Sequence, residues 1–314
     1  MAKVTANRIS SSLVRKPGRI NNEGIWGYLF IAPNALGVYF FSIGPILYSF
    51  YMSLTNWDNL TNPVFVGFKN FLELLTDKNF SRELFNTFYF TVGTVPLALI
   101  ISILLANALN KKIPFVPGFR TIYFLPSVTM PVAVAIVWRW LFNSELGLVN
   151  MFLGILRLPE PHWLSDPKFI MLAIIIVGIW STIGHNIVIL LAGLQNIPSS
   201  YYEAADMEGA GETVKFLKIT VPLLTPAVFF LLITMLINAL KAFDVIYIFS
   251  GGASNYVQGP LMDSVRTIVY GIFENAFLYM QMGYASAKAV VLFIIIMAIT
   301  VLQFVFQDRW VHYE

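Results

Sequence analysis

The 314-residue chain is dominated by apolar residues: 57% of its residues are hydrophobic, 12% are charged, and the net charge is +3. Soluble domains carry about a quarter charged residues, so this is the composition of a membrane protein. The small net charge argues against nucleic acid as a partner, and the absence of cysteine excludes disulfides, thiol nucleophiles and thiolate metal sites.

The chain begins with a polar segment at 1–24 that holds five basic residues and one acid. The apolar run that follows is much longer than a signal-peptide core, so we predict a cytoplasmic tail before an uncleaved first membrane helix at 25–53. Charge-free runs and turn signals predict five further spans at 84–109, 119–142, 168–194, 222–249 and 283–307. The predicted fold class is therefore an all-α membrane protein with six transmembrane helices.

The orientation is predicted from the basic residues near the span ends, because cytoplasmic segments carry the excess of Lys and Arg. With the N-terminus inside, eleven basic residues fall in cytoplasmic segments and six fall in outer ones. Both termini are therefore predicted to be cytoplasmic, including a short tail at 308–314. The outer connections at 54–83, 143–167 and 250–282 are longer than the inner connection at 110–118 and are predicted to form a small outward cap.

A charged segment, SSYYEAADMEGAGETVKFLKITVPLLTP, separates the fourth and fifth predicted spans. Ser200 and Glu203 have the spacing of a capping box, which predicts a short helix at 201–208 that stops at Gly209 or Gly211. A second short helix at 212–221 would return the chain to the membrane. Even spacing of the spans places this segment inside, and Glu203 alone could simply cap a connector helix.

Small and apolar residues in the same segment favour a docking element over a solvated connector. Ala204 and Ala205 permit close approach by another surface, and Tyr201, Tyr202 and Met207 offer apolar anchors on a helix in water. A solvated connector has no need of such anchors. We therefore expect another protein to dock here.

Polar and aromatic residues within the spans are candidates for a solute pathway, because polar groups are costly in lipid and sugars bind against aromatic faces. The substrate-path candidates are Asn86, Trp180, His185, Asn186, Asn238, Phe243, Asp244 and Tyr247. Simpler roles compete: Lys241 and Asp244 could neutralise one another on one helix face, and His185 beside Asn186 could form either a proton relay or an interhelical hydrogen bond.

Other residues near the predicted outer ends of the spans fit the membrane interface. Trp138 and Trp140 could belong to an interfacial belt as readily as to a sugar path, and Arg139 could extend to the headgroups. Lys288 is expected to reach the outer interface from the start of the sixth span.

The sequence lacks the patterns of known active sites. Its three histidines are too scattered for H-E-x-x-H, and neither a G-x-S-x-G elbow nor a G-x-x-x-x-G-K-[ST] phosphate loop occurs. We therefore predict a protein that is not an enzyme, with no catalytic residues, no metal site and no cofactor bound by this chain.

The charged segment resembles the cytoplasmic coupling loop, or EAA loop, of the membrane subunits of ATP-binding-cassette importers. Nearly the whole chain is similar to carbohydrate-type permeases such as those for maltose and glycerol phosphate. The segments that carry this resemblance are GYLFIAPNALGVYFF, SFYMSLTNWD, VGFKNF, NTFYFT, FLPSVTMPVAVAIVWRWLFNSELGLVN and FDVIYIFSGGA. Glu208 stands where the family often has Asp. The residues that match the loop are Tyr202, Glu203, Ala204, Ala205, Asp206, Met207, Glu208, Gly209, Ala210 and Pro222.

The resemblance implies a type I importer permease fold, with a permease core at 84–307 and a coupling loop at 195–221. It also implies a second homologous permease, two ATPase subunits that use ATP and Mg, and an extracytoplasmic sugar-binding protein. The implied function is import of a sugar or oligosaccharide by alternating access, as a multi-pass protein of a bacterial or archaeal cell membrane. The alternatives are the same architecture carrying a polyol phosphate or polyamine, a secondary transporter, or an ungated scaffold.

Overall fold

The computed structural model describes residues 22–111, 115–251 and 259–312. The predicted tail at 1–24 lies outside the described residues except for 22–24, and so do the last two residues of the predicted tail at 308–314. The described helices are α1 (Asn22–Val38), α2 (Gly44–Ser53), α3 (Lys69–Thr76), α4 (Lys78–Asn110), α5 (Val116–Val128), α6 (Pro131–Leu141), α7 (Leu148–Ile155), α8 (Ile170–Gln195), α9 (Ser199–Met207), α10 (Glu212–Lys215), α11 (Val221–Leu223), α12 (Thr225–Leu240), α13 (Asp244–Phe249), α14 (Pro260–Val265), α15 (Ile268–Phe273) and α16 (Met282–Gln307).

Three five-residue π turns extend or join these helices, at Tyr39–Ile43, Phe216–Thr220 and Glu274–Leu278. One small sheet was not predicted: β1 (Thr55–Asn56) pairs antiparallel with β2 (Val64–Phe65). The sheet follows directly after the first span, and a strand of two residues is too short to produce a recognisable alternation in the sequence.

The chain divides into two compact units, residues 1–49 and residues 50–314. The described part of the first unit holds α1, a π turn and the start of α2. The apolar window of the span Ile25–Ser53 has 0% of its residues buried. A helix that is apolar all round suits a lipid environment.

Five helical segments are long and apolar enough to cross a membrane: Ile25–Ser53, Lys78–Asn110, Ile170–Gln195, Thr225–Phe249 and Met282–Gln307. They correspond to five of the six predicted spans. The predicted third span, 119–142, is instead a pair of helices, Gly118–Val128 and Pro131–Leu141, bent by 103°. Thr129 and Met130 leave the helical conformation, with ψ of 143° and 124°. For Met130 the cause is Pro131, because a proline disfavours the helical region for the residue before it. The described part of the chain thus has six candidate spans if the bent pair counts as one.

The second span begins at Lys78, six residues before the predicted start at 84. Asp77 caps it, and its side chain accepts a hydrogen bond of 2.8 Å from the backbone N–H of Asn79. The prediction placed the start too late because Arg82 and Glu83 are charged and were assigned to the outer connection. Both side chains have partners on the far part of the chain, which allows a charged first turn to pack.

The main core lies between α4, α8 and α12, where buried residues such as Ala98, Ile174 and Leu231 meet. Glycines let these helices approach closely, as membrane helix pairs require. A Cβ on Gly178 of α8 would press on Phe90 and Thr94 of α4. A second, smaller core joins α3, α4, α15 and α16.

Candidate functional site

The segment between α8 and α12 contains two short helices, as predicted, but its start differs. Helix α9 begins at Ser199 with Pro198 at the N-cap, and no side-chain cap hydrogen bond is present there among the described residues. The predicted capping box between Ser200 and Glu203 is therefore wrong. Because the helix starts earlier, Ser200 lies within the first turn rather than before it.

The end of α9 is as predicted. Gly209 has a φ of +73°, the left-handed conformation that favours glycine. The N–H of Gly209 donates to the carbonyl of Asp206 at 3.0 Å, and that of Ala210 donates to the carbonyl of Ala205 at 2.9 Å. This pair of bonds is a Schellman motif, which turns the chain sharply toward α10. The predicted second helix is α10 followed by the π turn at Phe216–Thr220 and α11.

Lys215 joins the two short helices to each other. Its ammonium lies 2.7 Å from a carboxylate oxygen of Asp206 on α9 and 2.7 Å from one of Glu212 on α10. Glu212 in turn accepts from Lys111, which follows the end of α4, at 2.9 Å. Hydrogen bonds donated by Lys215 and Lys111 hold the pKa of Glu212 at about 2, and the hydrogen bonds that Lys215 donates to Asp206 and Glu212 raise the pKa of Lys215.

One face of α9 is left open to another molecule. Met207 is 90% exposed and Tyr201 is 46% exposed, and Glu203 and Ala204 between them are exposed as well. Tyr202 points the other way, and its hydroxyl lies 3.0 Å from the hydroxyl of Thr220. Of the apolar anchors predicted from sequence, Tyr201 and Met207 therefore face outward and Tyr202 fixes α9 to the chain behind it.

The other residues of the predicted coupling loop surround this face. Asp206, Glu208 and Gly209 are exposed, whereas Ala205, Ala210 and Pro222 are half-buried. Glu208, the departure from the family pattern, ends α9 and forms no ion pair with any other described residue.

The salt bridges of Glu212 give a pH prediction. Because its pKa is lowered from an ordinary 4.5 to about 2, the contribution of these bridges is fully present above about pH 4.5 and is lost as the pH falls toward 2. Spin labels on Ala204→Cys and Leu217→Cys, in a chain without native cysteine, should give a narrow distance distribution near neutral pH that broadens across this interval. With Glu212→Gln the distribution should already be broad at neutral pH. An unchanged width in the acid range would contradict the bridging role.

A cavity of about 520 Å³ lies between α4, α5, α8, α12 and α13. Five of the eight predicted pathway residues line it: His185, Asn186, Asn238, Phe243 and Asp244. The sequence-based prediction missed the hydroxyl residues in the same wall, which are Thr94, Ser127, Thr129, Ser181, Thr182 and Thr234. Short hydroxyls within helices commonly bond to the preceding turn, as Thr182 does to Gly178, and so give no distinctive signal in sequence.

The other three predicted pathway residues lie outside that cavity. Asn86 is buried, and its amide donates to the carbonyls of Asp263 and Arg266 at 2.8 and 2.9 Å. Trp180 lines a smaller cavity of about 400 Å³ and meets Trp138 edge to face. Tyr247 stacks on Phe243. The hydrogen bonds of Asn86 therefore give it a structural role. Tyr247 is next to the large cavity because it stacks on Phe243, which lines it.

One of the simpler roles proposed from sequence, the pairing of Lys241 with Asp244, is wrong, and the interhelical hydrogen bond proposed for His185 and Asn186 is present at Asn186. Helix α12 ends before Lys241 and α13 begins at Asp244, so these residues do not share one helix face, and both are exposed. The interhelical hydrogen bond comes from Asn186, which donates to the Ser102 hydroxyl at 3.4 Å. Within the part of the chain that the structure describes, the His185 side chain has no hydrogen-bond partner and is exposed to the cavity.

The predictions for Trp140, Arg139 and Lys288, near the predicted outer ends of the spans, have different outcomes. Trp140 is 58% exposed, as an interfacial residue would be, but Arg139 donates to the carbonyl of Ile248 at 3.3 Å. Lys288 was expected to reach the outer interface, and that is wrong. It is 2% exposed and pairs with Glu83 at 2.8 Å, because a nearby carboxylate satisfies its charge inside the protein.

A bundle of apolar helices around a cavity lined with polar groups, with a two-helix projection at one end, defines a multi-pass membrane transport subunit. Residues 75–312 match the family of binding-protein-dependent transport system inner membrane components, and the chain belongs to that family.

Similar proteins and a solved structure agree with this family membership. The chain is 37% identical over 304 residues to the probable ABC transporter permease protein YesP of Bacillus subtilis (strain 168), covering 96% of each chain. It is 35% identical to the multiple sugar-binding transport system permease protein MsmF of Streptococcus mutans, covering 88% of this chain and 93% of that one. A chain of a bacterial alginate ABC transporter, solved with an alginate pentasaccharide-bound periplasmic protein, has the same fold, with a TM-score of 0.80, 21% identity and coverage of 91% and 95%.

Proposed function

We propose that this chain is the permease subunit of an ATP-driven importer that moves a sugar or oligosaccharide across a bacterial or archaeal cell membrane. A second permease subunit completes the pore, and an extracytoplasmic binding protein delivers the solute. Two ATPase subunits that bind ATP and Mg supply the energy, since this chain has no phosphate loop of its own. The exposed face of α9, presented by a structured two-helix projection, is the observation that carries this proposal.

The α9 face has the properties of a docking element. Its exposed methionine and tyrosine give apolar contact area, and Ala204 between them lets a partner approach the backbone. The Schellman end at Gly209 and the Lys215 bridges hold this face rigid with respect to α10, so a displacement of α9 moves the start of α12 with it. We propose that an ATPase subunit grips this face and that nucleotide-driven closure moves the helices around the cavity.

The chemistry of the cavity favours an uncharged sugar as the solute. Its wall supplies hydroxyls and the exposed amide of Asn238, which can donate to and accept from sugar hydroxyls. Phe90 and Phe243 provide aromatic faces. Among the described residues of the wall, Asp244 is the sole carboxylate, and no Lys or Arg is present. The phosphate of a phosphorylated polyol would have no Lys or Arg to pair with among these residues, and the several ammonium groups of a polyamine would have one carboxylate, Asp244.

The proposal is tested by transport into proteoliposomes that hold the complete complex of both permeases and both ATPases. Uptake of a neutral oligosaccharide bound to the cognate binding protein should require ATP inside and the binding protein outside. Uptake sustained by an ion gradient without ATP would overturn the importer proposal. Uptake of a polyol phosphate or polyamine in place of the sugar would leave the importer intact and refute the proposed solute class.

A matched pair of variants connects the cavity to the solute. Asn238→Ala removes an exposed amide from the wall, and the KM for uptake should rise by about 5- to 30-fold, the effect of losing one or two hydrogen bonds of about 1 kcal/mol each. Asn107→Ala, an amide near the cytoplasmic end of the same bundle and outside this cavity, is the control and should leave KM unchanged. Equal effects of the two substitutions would contradict a solute contact at Asn238.

A further inference from the structure

Glu83 and Lys288 form an ion pair that is sealed from solvent on both sides. Both Glu83 carboxylate oxygens accept from the Lys288 ammonium, at 2.9 and 2.8 Å, and each side chain is 2% exposed. The ammonium also lies 5.4 Å from the ring centre of Tyr284 and 5.9 Å from that of Phe80. The pair joins α4 to α16, the second span to the last.

Stability alone does not account for such a pair. Removing two charges from solvent costs several kcal/mol per ion, and well-packed apolar residues of similar volume often serve as well or better. Ionisable groups within membrane spans are accordingly rare and are associated with function. Unlike apolar packing, the pair fixes one register between α4 and α16, the helices that carry it.

A third element meets the pair from the predicted outer side. Gly271 of α15 lies so close to Glu83 that an added Cβ would overlap the carboxylate. The same turn of α4 holds the connection before α15: the Thr87 hydroxyl accepts from the N–H of Ile268 at 3.0 Å, and Asn86 binds the carbonyls of Asp263 and Arg266. Three successive contacts from one face of α4 thus fix α15 in place.

A second ion pair sits in the same region. Arg266, just before α15, lies 2.8 Å from Glu274, which follows it, with side-chain exposures of 16% and 3%. Two cations and two carboxylates are therefore enclosed together, and their charges balance. Arg82 adds a pair at 2.6 Å to Asp263 at the rim, where both partners are partly exposed.

The aromatic residues of α15 continue from this cluster to the cavity wall. The ring centre of Tyr270, adjacent to Gly271, lies 6.3 Å from that of Phe243. The ring centre of Phe273 lies 5.3 Å from that of Phe243. Phe243 lines the large cavity. A continuous set of packed groups therefore runs from Lys288 and Glu83 through α15 to the wall of the proposed solute pathway.

We propose that Glu83 and Lys288 are a positioning pair: they clamp α15 between the second and last spans, so that force applied to the outer connection 259–281 reaches Phe243 and the cavity. This inference rests on the proposed function, in which a binding protein docks on the outer side. Neither residue touches the solute. Packed side chains with two discrete arrangements are the physical means by which such coupling travels.

The test uses the complete transporter in lipid nanodiscs with its binding protein. The double variant Glu83→Gln with Lys288→Met removes both charges and leaves none unpaired. We expect basal ATPase and thermal stability to be unchanged, and the stimulation by the loaded binding protein to fall by about 2- to 30-fold. The charge-swapped variant, Glu83→Lys with Lys288→Glu, should recover most of that stimulation. A Lys69→Met, Glu73→Gln double variant, which removes an exposed pair within α3, is the matched control.

A second variant keeps the test decisive if the double variant fails to assemble. Phe273→Leu keeps an apolar side chain next to Phe243 but removes the ring, and it should reduce stimulation with basal ATPase intact. Full stimulation in the neutral double variant, or in Phe273→Leu, would overturn the inference, as would a loss of stability with stimulation preserved. Wild-type uptake measured in parallel separates the two proposals: if wild type does not import with ATP, the proposed function fails, whereas unaffected variants beside an active wild type refute only the positioning pair.

Discussion

Replacing Gly209 with valine should lower both the binding-protein-stimulated ATPase and uptake while the protein still inserts and assembles. Gly209 has a φ of +73°, and a β-branched residue in this conformation costs about 1–3 kcal/mol. The expected response is loss of the Schellman turn and re-aiming of α9. Because a cost of that size reduces the docking-competent population by about 5- to 150-fold, we expect a comparable fall in binding-protein-stimulated ATPase and uptake.

Gly211 supplies the control, two residues away on the same exposed turn. A Cβ at either glycine would meet nothing within 4 Å, so the two positions differ in backbone conformation and not in available space. Gly211 has a φ of −70°, which any residue can adopt, and Gly211→Val should retain nearly full coupling. Similar losses for both valine variants would show that the sharp turn at Gly209 is not what positions α9.

Replacing Gly184 with alanine should damage the fold itself. Gly184 lies on α8 where α5 crosses it, and an added Cβ would overlap the backbone carbonyl of Tyr123. Backbone cannot rotate away as a side chain can, so we expect the upper part of the usual overpacking cost of about 1–3 kcal/mol, seen as a lower melting temperature in detergent. His185 follows directly in the cavity wall, so uptake should fall as well.

Gly193→Ala is the comparison on the same helix. Its added Cβ would approach the Cδ1 of Leu224 and the Cβ of Ala227, and the leucine terminus can shift. This variant should lose less than about 1 kcal/mol. If Gly193→Ala proved the more damaging of the two, close backbone contact between α5 and α8 would not be the tighter constraint.

The spans could be predicted from sequence because the cost of placing charge in lipid leaves long charge-free runs. That same criterion failed where charges are paired inside the protein. Arg82, Glu83 and Lys288 were assigned to the outer loop or interface because their partners lie between 181 and 205 residues away in the chain. The 103° bend in the third span could not be predicted either, because a proline such as Pro131 marks a break in a helix but does not set an angle.

The segment between α8 and α12 was predicted more fully than the cavity. Its signals are local: Gly209 ends a helix and Ala204 is small, and both facts are visible within a few residues. Membership of a cavity wall depends on helix rotation, which places His185 in the wall and Trp180 beside a different cavity. The hydrogen-bond partners of Asn86 lie in the connection before α15, so they could not be predicted from residues near Asn86 in the sequence.

The π turn at Phe216–Thr220 has a consequence for how length changes are tolerated between α9 and the fifth span. A turn that closes over five residues contains one more than an ordinary helical turn, so it stores a surplus residue. Deleting one residue there would let the backbone relax into regular α-helix and leave the direction of α9 nearly unchanged. Deleting one residue from the regular helix α12 would instead rotate everything before it by about 100° around the axis of the span. After that deletion in α12, the exposed face of α9 would point in a different direction with every one of its side chains unchanged.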